Sequence, residues 1–186
     1  LFKIGIALLI FIGMIFVLFC MVLIMPSEEY ETVNYDIPNM RDYYTHIKGN
    51  GEDKVTLMVY MVGSDLESDG GAASEDIAEM TAANADNINI TLQTGGAAAW
   101  ENASISDGKT ERHIIKNGEL QNVENLGEAQ MTSPNMLTDF IKWSASNYPA
   151  DRYELVLWNH GGGTALGFGY DEMYPDDMLS LSQIGN

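Results

Sequence analysis

The run Tyr153-Glu154-Leu155-Val156-Leu157-Trp158 is short and mostly apolar, and it stops at Asn159-His160 and then at Gly161-Gly162-Gly163. A neutral imidazole acts as a general base near pH 7. Glycines let a substrate approach backbone N–H groups with no side chain in the way. His160 is therefore the candidate base, and the N–H of Gly161 is the candidate oxyanion donor. Together they serve acyl transfer, which needs a nucleophile as well. Cys20 is the only cysteine, and it sits in an uncharged apolar run, where a thiol stays protonated and away from substrate. Twenty-three residues follow Gly163 and none is a cysteine. The nucleophile is expected past Asn186.

Other chemistry-bearing residues give weaker signals. Asp65, Glu67, Asp69 and Asp76 have the spacing of a calcium loop, with Glu at the third position and Asp at the last. Acidic residues at a helix amino terminus would look the same, so metal ligands stay unassigned. Asp171, Glu172, Asp176 and Asp177 read as a solvated acidic loop near the site. Gly161-x-Gly163 followed by Gly167 misses the dinucleotide spacing, so no nucleotide or organic cofactor is expected. His46 and His113 have no ligand-like neighbours and read as surface residues. Asn89-Ile-Thr91 and Asn102-Ala-Ser104 match glycosylation acceptors, the first inside a strand.

The elements that must position His160 follow from periodicity. Lys54 to Val62 is a nearly continuous apolar run, typical of a strand covered on both faces, and ends at Gly63-Ser64-Asp65. Ala72 to Ala85 reads as a helix with Ile77, Ala78 and Met80 inward and Asp76 and Glu79 outward. Asn87 to Thr94 alternates as a second strand through Ile88, Ile90 and Leu92. Arg112–Lys116 and Leu120–Val123 form a hairpin through Asn117-Gly118, a pair that supplies the positive φ of a tight turn. Ser133-Pro134 opens a helix with a capping hydroxyl and a first-turn proline. Its inner face is Leu137, Phe140, Ile141 and Ser144, and it stops before Tyr148-Pro149. Tyr153 to Trp158 follows as a third, buried strand, and Leu179 to Ser182 begins another helix. This order predicts an α/β domain with a largely parallel sheet flanked by helices, incomplete in this chain. In such sheets ligands bind beyond the carboxyl ends of the strands, where His160 lies.

The amino-terminal region is different. Ile4 to Met25 is uncharged over 22 residues, about 33 Å as a helix and long enough to cross a bilayer. Leu23-Ile24-Met25 offers no small residues for signal cleavage, so residues 1–25 are expected to be a transmembrane anchor or uncleaved signal. Lys3 before the run and Glu28, Glu29 and Glu31 after it place the remainder outside the cell. Residues 26–53 read as a polar stalk, and 54–186 as the domain. With Lys3 set aside, residues 26–186 carry 8 basic and 27 acidic side chains, net −19. Such a surface opposes nucleic-acid and anionic-membrane binding and would attract cationic ligands, although solubility outside a cell accounts for it before any steering role.

Val59-Tyr60-Met61 with Gly63-Ser64-Asp65-Leu66-Glu67, the Asn87–Thr94 strand, and Leu157-Trp158-Asn159-His160-Gly161 resemble the clostripain family of cysteine peptidases, from about Lys54 onward. The resemblance implies a caspase-like fold with His160 as catalytic base and Gly161 in the oxyanion hole. It also implies a cysteine at the end of the next strand and endopeptidase cleavage after Arg or Lys. Possible calcium dependence comes with it, without ligands. The implied partners are a peptide or protein substrate with basic residues, the membrane through residues 4–25, and the carboxy-terminal remainder of the same protein. His-Gly-Gly-Gly after a strand also resembles the oxyanion hole of α/β-hydrolase esterases. Trp158-Asn159 and the Gly-Ser-Asp-Leu-Glu loop favour the peptidase. A non-catalytic, surface-tethered binding module of the same fold is the remaining alternative.

Overall fold

The structure, a computed structural model, describes residues 48–83 and 86–185. The apolar span at residues 4–25, the stalk up to residue 47 and His46 lie outside the described residues. Among the described residues no helix is long and apolar enough to cross a membrane.

Strand β1 (Val55–Val62) is the centre of the fold. Because alternate strand residues face opposite ways, Val59 and Met61 enter one core cluster while Met58, Tyr60 and Val62 enter the other. The first cluster is closed by helix α2 (Ala72–Ala82) through Ala73 and Ile77. The second is closed by helix α3 (Pro134–Asn147) through Leu137 and Phe140. Each fully buried apolar side chain of this kind contributes roughly 1.5–3 kcal/mol. The Tyr60 ring also lies tilted against Phe140, with ring centroids 5.7 Å apart, and its hydroxyl donates to the Met131 carbonyl at 2.6 Å.

The sheet has the order β4-β3-β2-β1-β5, where β2 is Ile88–Gly95, β3 Glu111–Lys116, β4 Glu119–Asn125 and β5 Arg152–Trp158. β1 is parallel to both β2 and β5, and β3 is antiparallel to β2 and β4. Only β3 therefore runs against the others, and the expected α/β class with a largely parallel sheet is observed. The hairpin joins the sheet as two further strands through Asn117 (φ 56°) and Gly118 (φ 75°).

Several local expectations are corrected. β5 is exposed at five of its seven positions, because among the described residues it is the sheet edge and no strand pairs with its outer side. His113 is fully buried, since β3 is an interior strand and not a surface hairpin arm. Its Nε2 lies 3.0 Å from the Thr94 hydroxyl. Ala78 is exposed, α2 being turned so that Ala73 and Ile77 face the sheet. Ser133 precedes α3, but its hydroxyl caps no backbone N–H. Asp76 is not outward-facing but accepts the Trp158 indole N–H at 2.6 Å. Residues 48–53, the end of the expected stalk, lie against the domain through Lys48–Asp151 at 2.8 Å and Asn87 to the Gly51 carbonyl at 2.6 Å.

Candidate active site

β1 and β5 pair in register up to Met61 and Trp158, so their next residues emerge side by side at one rim of the sheet. From β1 come Gly63, Ser64 and Asp65, entering helix α1 (Ser64–Ser68). From β5 come Asn159 and His160. The two ends are stitched together. The Asn159 carboxamide donates to the Val62 carbonyl at 2.5 Å and to the Ser64 hydroxyl at 2.7 Å, and it accepts the Tyr170 N–H at 2.8 Å. Ser64 is fully buried with φ 51°, and its N–H donates to the Gly96 carbonyl at 3.1 Å. Gly63 has no room for a side chain: a Cβ there would lie 2.8 Å from the Ala97 Cβ.

Held this way, His160 and Asp65 meet. His160 Nε2 lies 2.9 Å from Asp65 Oδ1, each side chain about half exposed at 47%. Partial burial works against ionisation of the Asp65 carboxyl, but hydrogen bonds from His160 and Ser64 outweigh it and hold its pKa below the usual 3.8. An ionised carboxylate only accepts hydrogen bonds, so the proton in this contact belongs to the imidazole Nε2.

The glycines after His160 form a tight turn, not a loose tether. β6 (Gly161–Gly162) pairs antiparallel with β7 (Gly167–Phe168) around a helical turn α4 (Gly163–Leu166). Gly169 N–H closes it on the His160 carbonyl at 3.1 Å. Gly167 (φ 88°) is required by its surroundings, since a Cβ would fall 2.1 Å from the Leu179 carbonyl oxygen. At Gly161 a Cβ would meet nothing within 4 Å. The space beside Gly161 is open. Helix α5 (Leu181–Ile184) closes the described chain, its amino end formed by a reciprocal Ser180–Gln183 capping box.

The calcium-like loop does not converge. Asp65 turns to His160, and Asp76 to Trp158. Glu67 is fully buried and accepts the Ser74 N–H at 2.9 Å, the Ser74 hydroxyl at 2.5 Å and the Glu101 N–H at 2.8 Å. Among the described residues no three His, Cys, Asp or Glu side chains stand together to hold a metal ion. These residues do not fit calcium. The second acidic group is likewise not a solvated loop throughout. Asp171 is fully buried, accepting the Met131 and Met173 N–H groups at 2.9 Å each, and burial pushes its carboxyl up. Glu172 accepts the Ala98 N–H at 2.7 Å and the Ser68 hydroxyl at 2.8 Å. Both carboxylates brace the rim loops.

Sequence reasoning singled out His160 and Gly161, and the structure brings them to the predicted rim. It missed what Asp65 and Asn159 do. Their signal was present, as polar residues just past the ends of two apolar runs, but only strand adjacency shows that they reach each other.

Comparisons with known proteins agree with this architecture. The clostripain family profile matches residues 59–186. Clostripain from Hathewaya histolytica is 32% identical over 133 residues, which is 61% of this chain and 24% of that protein. The chain thus spans about a quarter of the length of that relative. A secreted C11 cysteine protease from Bacteroides thetaiotaomicron, solved with an irreversible peptide inhibitor, superposes with a TM-score of 0.55 at 18% identity, covering 70% of this chain and 37% of that one. A B. fragilis cysteine protease is 24% identical with a TM-score of 0.45, over 59% of this chain and 91% of that one. A match over residues 59–186, which includes both strand ends that build the His160 rim, establishes that this chain belongs to the clostripain family.

Proposed function

We propose that the chain is the amino-terminal part of a cysteine endopeptidase in which His160 is the general base and the Gly161 N–H helps bind the oxyanion. The observation that carries this reading is the His160 imidazole, half exposed at the carboxyl rim of a largely parallel sheet and flanked by a glycine turn with open space beside it. Such a base takes the proton of a thiol. The thiolate attacks the peptide carbonyl, the amine leaves with the proton, and water releases the acyl group. The family supplies the expectation of a cysteine on the next strand and of cleavage after Arg or Lys. With the family established, the esterase alternative has no remaining support.

The edge strand supports a covering partner. Tyr153 and Leu155 are 47% and 42% exposed on the α3 side of the sheet, and Val156 is 40% exposed on the α2 side. Among the described residues this apolar edge is partly exposed on both faces, and such an edge is an association hazard unless paired. The carboxy-terminal remainder of the same protein is the proposed cover. Membrane anchoring through residues 4–25, with the domain outside the cell, rests on the uncharged run and the flanking charges. Protease accessibility on intact cells tests it. Calcium enters through the family resemblance alone, its ligands unassigned.

The deciding measurement is cleavage of an Arg-containing fluorogenic peptide by the full-length protein. Activity that His160→Ala abolishes while thermal unfolding stays cooperative supports the peptidase. No cleavage of Arg or Lys peptides would leave the binding-module alternative instead.

A further inference from the structure

We propose that Asp65 is a positioning residue for His160: its carboxylate takes the Nε2–H hydrogen bond and so leaves Nδ1 as the nitrogen that accepts the thiol proton. The inference rests on the peptidase reading and deepens it by adding a third side chain to the pair. Three observations carry it. First, Asp65 Oδ1 and His160 Nε2 are 2.9 Å apart, within the range of a charge-assisted hydrogen bond. Second, an exposed pair of this kind contributes little to stability, yet the backbone beneath it is built from buried parts. Ser64, next to Asp65, is fully buried in a left-handed conformation, and Asn159, next to His160, is bonded to that same Ser64. The rim thus fixes the carboxylate and the imidazole against each other. Third, among the described residues nothing hydrogen-bonds His160 Nδ1. Because the hydrogen bond on one ring nitrogen sets the tautomer of the other, a carboxylate at Nε2 places the lone pair on Nδ1.

The proton balance is complete. The thiol proton passes to Nδ1 as the sulfur–carbon bond forms. The resulting imidazolium keeps its Nε2–H on Asp65, whose negative charge faces the new positive one. Nδ1 then gives the proton to the leaving amine as the carbon–nitrogen bond breaks. In deacylation a water proton takes the same route, to Nδ1 and then to the sulfur.

The test uses the full-length protein and an Arg-containing fluorogenic peptide, with His160→Ala, Asp65→Asn, Asp65→Ala and Asp65→Glu. Asp65→Asn keeps the shape but has an amide that can donate to Nε2 and reverse the tautomer. Its kcat is expected to fall by about 10²-fold with KM unchanged, the scale of a misplaced catalytic group. Asp65→Ala should fall similarly, and Asp65→Glu should recover part of the loss, a rescue that a merely structural role would not show. If His160→Ala abolishes turnover but Asp65→Asn and Asp65→Ala keep wild-type kcat, the Asp65 assignment is overturned and the peptidase stands. If His160→Ala keeps wild-type turnover, the peptidase reading fails first and the Asp65 inference with it.

Discussion

Asn159 and Ser64 lock the two strands that carry the site: the Asn159 carboxamide donates to the Ser64 hydroxyl at 2.7 Å from the neighbouring strand end. The same carboxamide also reaches the Val62 carbonyl and accepts the Tyr170 N–H. Three bonds from one side chain join β1, β5 and the loop that follows the glycine turn. Asn159→Ala leaves the Val62 carbonyl and the Tyr170 N–H short of partners. It should cost about 2–3 kcal/mol of stability, read as a lower urea midpoint with an unchanged slope, and should lower kcat through His160.

Two glycines in the turn should behave differently. Gly167→Ala forces φ 88° on a residue with a Cβ and drives it into the Leu179 carbonyl. A loss of more than about 2 kcal/mol is expected. Gly161→Ala meets no neighbour, so stability should change by less than about 0.5 kcal/mol. Its kcat/KM should nevertheless fall, because the methyl group enters the space proposed for the substrate backbone. Thermal unfolding set beside turnover separates the two effects.

His113 predicts a pH dependence of stability. Burial pushes its pKa down to about 4 from 6.5, against the opposing charge of Glu111 3.8 Å away. Above pH 6.5 both folded and unfolded imidazoles are neutral, and His113 contributes nothing. Between pH 6.5 and 4 the unfolded chain takes up a proton that the folded one refuses, so stability falls as pH falls. The full penalty is roughly 3 kcal/mol. Comparing wild type with His113→Gln at about pH 7.5 and pH 4.5 should show the difference between them shrinking or reversing at the lower value.

The exposed face of β5 yields a comparison between two lengths of the protein. In the chain ending at Asn186, Leu155→Lys should change stability by less than about 0.5 kcal/mol. In the full-length protein, with that edge covered, it should cost roughly 2–4 kcal/mol. Amide hydrogen exchange that slows, in the long form alone, at the β5 N–H groups pointing away from β1 would be the matching signature.

Much of the fold could be read directly from residue order. The unbroken apolar run Val55–Val62, the Asn117-Gly118 turn and the Leu137–Phe140–Ser144 spacing are local patterns, and local patterns follow from backbone geometry. They place β1, the β3–β4 hairpin and α3 where they are found. His160 and Gly161 were legible for the same reason, as a break in a short strand.

Other features depended on which segments become neighbours. β5 has the composition of a buried strand but lies at the edge of the sheet among the described residues, because burial belongs to what packs against a strand and not to the strand itself. His113 looks like a surface residue in a polar hairpin until β2 and β4 enclose it. Asp65 and His160 are 95 positions apart, and no spacing rule links them. The sequence by itself determined the imidazole, the glycines and the strand that ends beside them. Only the tertiary structure, by laying β5 parallel to β1, decided which carboxylate that imidazole would meet.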